Sequence, residues 1–187
     1  MTKEKRTYAS QKLPKYLEKD EIYAILKLAM KANSNRRDYT LLRLMWSTGV
    51  RVSEAITITP ADIEPTHFVI NILHAKGGKQ RRCHCDDKTL RALLAYTKKA
   101  KIDDDAPIFP ISRIQVFNIV KGYGKQIERP DIHPHSFRHS FAVFCIREGM
   151  DIRTLQMLMG HESIQTTSIY LQFNDAFINK IYQKVAF

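Results

Sequence analysis

One short stretch of β character stands in a chain otherwise patterned for helix, and this restricts the fold most. Residues 67–74 read HFVINILH, rich in β-branched and aromatic side chains, and 80–85 (QRRCHC) resume an extended alternation after Gly77 and Gly78. Two such segments joined through paired glycines predict a β-hairpin, with Lys76 and Lys79 flanking its tip. A lone hairpin excludes a doubly wound sheet, which needs strands alternating with helices along the chain. The expected fold class is mostly α with a small antiparallel β-sheet or hairpin (α+β).

Helical periodicity surrounds the hairpin. Leu17, Ile22, Ile25, Leu26, Leu28 and Ala29 recur at amphipathic spacing, and Asp20 and Glu21 sit where a helix dipole favours acid. A second helix is expected over 37–46, carrying Leu41, Leu42, Leu44 and Met45 and stopped by Thr48-Gly49. A short third begins near Arg51, and Pro60 and Pro65 bracket the turn behind it. Further helices are expected at roughly 86–100, 112–126, 135–148, 151–159 and 174–184. The first dozen residues are polar and basic and end at Pro14, which predicts a flexible basic arm or linker remnant at 1–12 and one folded unit over 13–187.

Charge narrows the partner. Thirty Lys+Arg against 19 Asp+Glu give a formal net charge of +11, which favours a polyanion through counterion release and electrostatic steering. Nucleic acid comes ahead of membrane, because no apolar run approaches the ~18 residues of a bilayer span. The basic opening stretch has no hydrophobic run behind it to serve as a signal peptide, and a cytoplasmic, nucleoid-associated location is expected. The three cysteines, Cys83, Cys85 and Cys145, form no even framework, so disulfides are not expected. The run Cys83-His84-Cys85 lacks the ligand spacing of a zinc site and reads as a strand with alternating side chains. No metal is expected.

The densest chemical signal is HPHSFRHSF, 133–141. Pro134 suits a first helical turn, so His135 and Arg138 fall one turn apart on one side while Phe137, Phe141 and Phe144 fall on the other. One face packs inward, and the other offers an imidazole and a guanidinium near a helix amino end, a favourable place for an oxyanion. Taken singly, the remaining candidates read as ordinary structure: Arg51 as the partner of Glu54, Lys76 as a loop lysine, His161 as a capping histidine, and Tyr170 as one packing tyrosine among eight. Together they make a set. A phosphodiester is cleaved without metal if a hydroxyl is placed in line and fixed cations neutralise the non-bridging oxygens. Arginine suits this task because its planar fork binds phosphate oxygens in pairs and keeps its proton.

Four ordered boxes carry a resemblance. TGVRVSEA, HAKGGKQR, HSFRHSFA and LMGHESIQTTSIY resemble, in order and approximate spacing, the arginine box, lysine hairpin, H-x-x-R box and closing histidine-tyrosine box of the tyrosine recombinases, which include phage integrases and Xer-type enzymes. The resemblance covers nearly the whole chain from Leu13 and implies the family's catalytic-domain fold. It implies that Arg51 and Arg138 clamp the scissile phosphate, that His135 takes or returns protons around the nucleophile, and that His161 hydrogen-bonds a phosphate oxygen. Lys76 would protonate the leaving 5′ oxygen, and Tyr170 would attack phosphorus to give a 3′-phosphotyrosyl enzyme. Lys79, Arg81 and Arg82 are placed as phosphate contacts.

The resemblance further implies site-specific recombination of double-stranded DNA through a Holliday junction, without metal, ATP or any other cofactor. Four protomers would act on two sites, with accessory DNA-bending proteins as further partners. Residues 175–187, with Phe177, Ile178, Ile181 and Val185 at helical spacing, fit docking onto a neighbour or packing on their own subunit. Many relatives carry an amino-terminal domain that grips the other face of DNA; no separate domain of that kind is expected here. Two other activities share the same groups: a type IB topoisomerase-like relaxing enzyme, and a non-catalytic DNA-binding regulator.

Overall fold

The structure, a computed structural model, describes residues 14–32, 36–73, 80–161, 163–171 and 183. Its helices are α1 (Lys19–Ala32), α2 (Arg37–Thr48), α3 (Val52–Ala55), α4 (Asp87–Ala100), α5 (Arg113–Gln126), α6 (Pro134–Arg147), α7 (Ile152–Met159) and α8 (Gln165–Ser168). Strands β1 (Ile63–Glu64), β2 (Val69–Ile72) and β3 (Arg81–His84) form an antiparallel sheet in the order β1-β2-β3. The mostly α fold with one small antiparallel sheet agrees with the expectation. Among the described residues, no helix is long and apolar enough to cross a membrane.

Helix α2 is the central post, packed by α1, α4 and α6. It is buried nearly all round, which is why its sequence shows no clean polar stripe. Its charges are matched: Arg43 pairs with Asp86 at 3.0 Å, and the Tyr123 hydroxyl donates to Asp38 at 3.3 Å. Asp86 also caps α4, accepting the Thr89 N–H at 2.6 Å, so one carboxylate fixes both a helix start and a buried guanidinium. Helix α1 begins at Lys19, two residues beyond Leu17, whose N–H donates to Ser140 Oγ at 2.7 Å. That bond ties the chain entering α1 to α6.

The helix ends follow their side chains. Ser112 and Asp151 cap α5 and α7 by accepting backbone N–H groups, and Pro134 occupies the first turn of α6. The hairpin strands are shorter than the β-rich segments that encode them, and Cys83 is buried between exposed Arg82 and His84, as strand alternation requires. β1 and α8 were not anticipated; each is too short to carry a period of its own. The arm at 1–12, the hairpin tip with Lys76 and Lys79, and, apart from residue 183, the helix expected over 174–184 lie outside the described residues.

Candidate active site

Two helices end where the expected site lies, and both stop on a left-handed glycine. Gly49 closes α2 with φ +61°, and Gly160 closes α7 with φ +60°. A Cβ on Gly49 would lie 2.3 Å from a ring carbon of Phe141, so the glycine is required by conformation and by contact. The carbonyls at these ends carry the negative pole of each helix and remain free of helix bonding.

Both arginines use them. Arg138 donates to Gly49 O at 2.6 Å and to Met159 O at 2.7 Å. Arg51, which precedes α3, donates to Gly160 O at 3.0 Å and to Glu54 at 2.9 Å. Arg138 is only 5% exposed, and no carboxylate is bonded to it among the described residues. Burial, together with the positive charges of Arg51 and Arg81, pushes its pKa down to about 10. A buried guanidinium bonded to neutral carbonyls beside two other arginines is suited to receive an anion, with the Glu54 carboxylate the nearest countercharge.

Glu54 anchors the other side of this cluster. Its carboxylate accepts the Arg51 N–H at 2.8 Å and takes Arg81 through two bonds of 2.7 and 2.8 Å. Burial alone would raise its pKa, but the bonds and charge of Arg81, with those of Arg51, hold it at about 2. Arg81, expected to touch DNA phosphate, therefore spends its guanidinium on Glu54 and on Leu158 O, and its side chain is 11% exposed. This position locks β3 to α3 and α7. Arg82 faces solvent beside Glu64, with the two groups 2.9 Å apart.

The expected two-sided character of α6 needs refinement. Phe137 and Phe141 are buried and Phe144 packs on Trp46, but Arg138 is buried as well, because the ends of α2 and α7 cover it. His135 is exposed on the wall of an open, largely apolar groove bounded by Val52, Ile56, Ile114 and Phe117. Its pKa is lowered by loss of solvent and by the nearby charges of His133, Arg138 and Arg51. His161 is pinned through Nδ1 to Thr167 Oγ1 at 2.9 Å and through its backbone to Gln156. Burial, then Arg138, Arg51 and Arg81, lowers its pKa to about 4, which leaves it neutral at pH 7.

Tyr170 is 2% exposed, and its hydroxyl lies 2.6 Å from Nδ1 of His139. Burial raises its pKa to about 12 despite the pull of Arg138. The structure thus brings Arg51, Arg138, His135, His161 and Tyr170 into one neighbourhood, while Lys76 lies outside the described residues. Sequence reasoning missed Glu54 as a hub, the glycine carbonyls, and His139. The signal for His139 was present: it follows His135 by four residues, which places both on one face of α6.

The phage integrase family model matches residues 15–176. A tyrosine recombinase XerD of Bifidobacterium longum is 37% identical over 180 residues, covering 84% of this chain and 58% of its own. A putative integrase/recombinase of Sinorhizobium fredii is 32% identical over 168 residues, covering 87% and 65%. Among solved structures, the XerA recombinase aligns with a TM-score of 0.77 at 28% identity, covering 93% of this chain and 66% of that one. The catalytic domain of bacteriophage HP1 integrase gives 0.70 at 24% identity, covering 90% and 93%. The chain belongs to the phage integrase family of tyrosine recombinases. It spans about six-tenths of the length of curated relatives such as the XerD proteins of B. longum and Staphylococcus epidermidis.

Proposed function

We propose that the chain is the catalytic domain of a site-specific DNA recombinase, cleaving and rejoining strands through a phosphotyrosyl link at Tyr170. The observation that carries this reading is Arg138, a buried guanidinium whose hydrogen-bond partners among the described residues are carbonyls, set between Arg51 and Tyr170's neighbourhood. A phosphodiester brings negative charge to this guanidinium. Arg138 and Arg51 then hold its non-bridging oxygens, with His161 donating a further bond, and their fixed geometry stabilises the extra charge of the pentacovalent state.

Tyr170 attacks phosphorus, the bridging 5′ oxygen leaves with a proton from Lys76, and the 3′ phosphate stays on the enzyme. A 5′ hydroxyl from a partner strand reverses the reaction, so bond energy is conserved and no ATP is consumed. Two rounds pass through a Holliday junction. The acting unit is four copies on two duplex sites, assisted by DNA-bending proteins, and the substrate places the protein at the nucleoid.

The test is a nicked suicide duplex incubated with wild type and Tyr170→Phe in EDTA. A denaturant-resistant adduct is expected for wild type and none for the variant. An adduct that survives Tyr170→Phe removes the nucleophile from Tyr170. Supercoil relaxation without exchange between two marked duplexes would make the chain a topoisomerase, and mobility retardation with no adduct would make it a binding protein.

A further inference from the structure

The group bonded to the hydroxyl of Tyr170 is neither of the histidines that the motifs single out. His161 is committed to Thr167, and His135 is exposed, its ring 6.5 Å from that of His139. His139 alone among the described residues places a basic nitrogen on the phenolic oxygen, at 2.6 Å. It follows Arg138 directly on α6, so the residue that receives the phosphate and the residue that touches the nucleophile share one rigid backbone segment.

Building on the function proposed above, we infer that His139 is a further catalytic residue, taking the proton of Tyr170 as the phenolic oxygen attacks phosphorus and returning it when the linkage is resolved. In the forward step the Tyr170 O–H bond breaks and an N–H bond forms at Nδ1. The Oη–P bond forms, the P–O5′ bond breaks, and the departing oxygen receives its proton from Lys76. Rejoining runs the same steps backward, with the imidazolium giving its proton to the leaving phenolate. No oxidant or other co-reactant enters the balance.

The electrostatics around the pair fit this role. Burial and the positive surroundings of His135, His133 and Arg138 hold His139 at a pKa of about 4, while Tyr170 stands at about 12. His139 is therefore neutral at pH 7, with Nδ1 able to accept and the ring proton on Nε2. The wide gap keeps the phenol protonated, and so inert, until a phosphate arrives. That phosphate offsets the cations that disfavour an imidazolium and raises the basicity of His139 at the moment the proton must move.

The experiment measures single-turnover trapping on the suicide duplex for wild type and His139→Gln, each carrying either tyrosine or 3,5-difluorotyrosine at position 170. Glutamine fills a similar space and can accept the hydroxyl bond but cannot take a proton. His139→Gln is expected to trap about 10² to 10³ more slowly, with duplex affinity and melting temperature unchanged. Fluorination, which acidifies the phenol, is expected to restore at least about tenfold in His139→Gln and to leave wild type unaccelerated, as relief of a proton-transfer defect requires.

Trapping by His139→Gln at the wild-type rate overturns the inference, and so does a slow variant that fluorination does not help. If the variant unfolds, the wild-type fold still decides: the 15N shift of His139 Nδ1 is expected to be that of an unprotonated nitrogen and to move in Tyr170→Phe, and a protonated Nδ1 overturns the inference. A wild type that forms no adduct overturns this assignment together with the function it rests on. An active wild type with an indifferent His139→Gln overturns this assignment alone.

Discussion

Arg138 sits in surroundings that disfavour its own charge, and the protein tolerates this because two carbonyls take its N–H groups. That arrangement suits a transition state more than a resting protein. Arg138→Ala is expected to bind duplex within a few-fold of wild type while cleaving about 10² to 10³ times more slowly, read by adduct formation in a single turnover. Glu54 has the opposite assignment, since it is the counterion for Arg51 and Arg81. Its folded pKa of about 2 lies below its ordinary value of 4.5. Its contribution to stability is therefore complete above about pH 4.5 and is lost as the pH falls toward 2; the shift corresponds to on the order of 3 kcal/mol. Glu54→Gln is expected to lower neutral-pH stability by about 3 to 5 kcal/mol, since it leaves two cations unpaired, and to flatten the acid limb of a denaturation series. A variant whose acid limb matches wild type would remove Glu54 from that role.

The elements were legible in proportion to their length. α4, α5 and α6 lie within a residue or so of their expected ranges because each carries several turns of periodicity and a cap, with Ser112 and Pro134 marking two of the starts. β1 and α8 escaped because two and four residues hold no period, and they form only where tertiary contacts place them. The site shows the same division. Arg51, His135, Arg138, His161 and Tyr170, the residues proposed to act on phosphate, were suggested by motifs, whereas the Glu54–Arg81 link joins residues 27 apart, and the bond from Arg51 to Gly160 O spans 109. Such pairings appear only when α3, β3 and α7 have met. The glycines bridge the two levels. Gly49→Ala forces a side chain into φ +61° and into the Phe141 ring, and a loss of about 1 to 3 kcal/mol is expected, seen as a lower denaturant midpoint with an unchanged slope.

At the scale of the whole molecule, a net charge of +11 would set how the domain meets the DNA proposed as its substrate before any group reacts. The logarithm of the association constant is expected to fall linearly with the logarithm of salt concentration. Arg82, exposed beside Glu64, and the buried Arg81 should separate in this measurement. Arg82→Ala is expected to reduce the salt slope by about one ion and to leave the melting temperature within about 1 °C, as expected of a phosphate contact at the surface. Arg81→Ala is expected to lower the melting temperature and leave the slope unchanged. Identical slopes for wild type and Arg82→Ala would take Arg82 out of the DNA interface. Composition pointed to the polyanionic partner proposed above; the division of labour between adjacent arginines was not readable, because it depends on which side of β3 faces Glu54.

Gly49, Met159 and Gly160 hold both arginines through main-chain oxygens, and a main-chain oxygen survives replacement of the side chain beside it. The outer surface of α7, where Met157 is 77% exposed and Arg153 also faces solvent, can therefore drift without disturbing the clamp behind it. A library that randomises this face is expected to keep the main-chain bonds to both arginines, and with them the adduct-forming rate proposed for the domain.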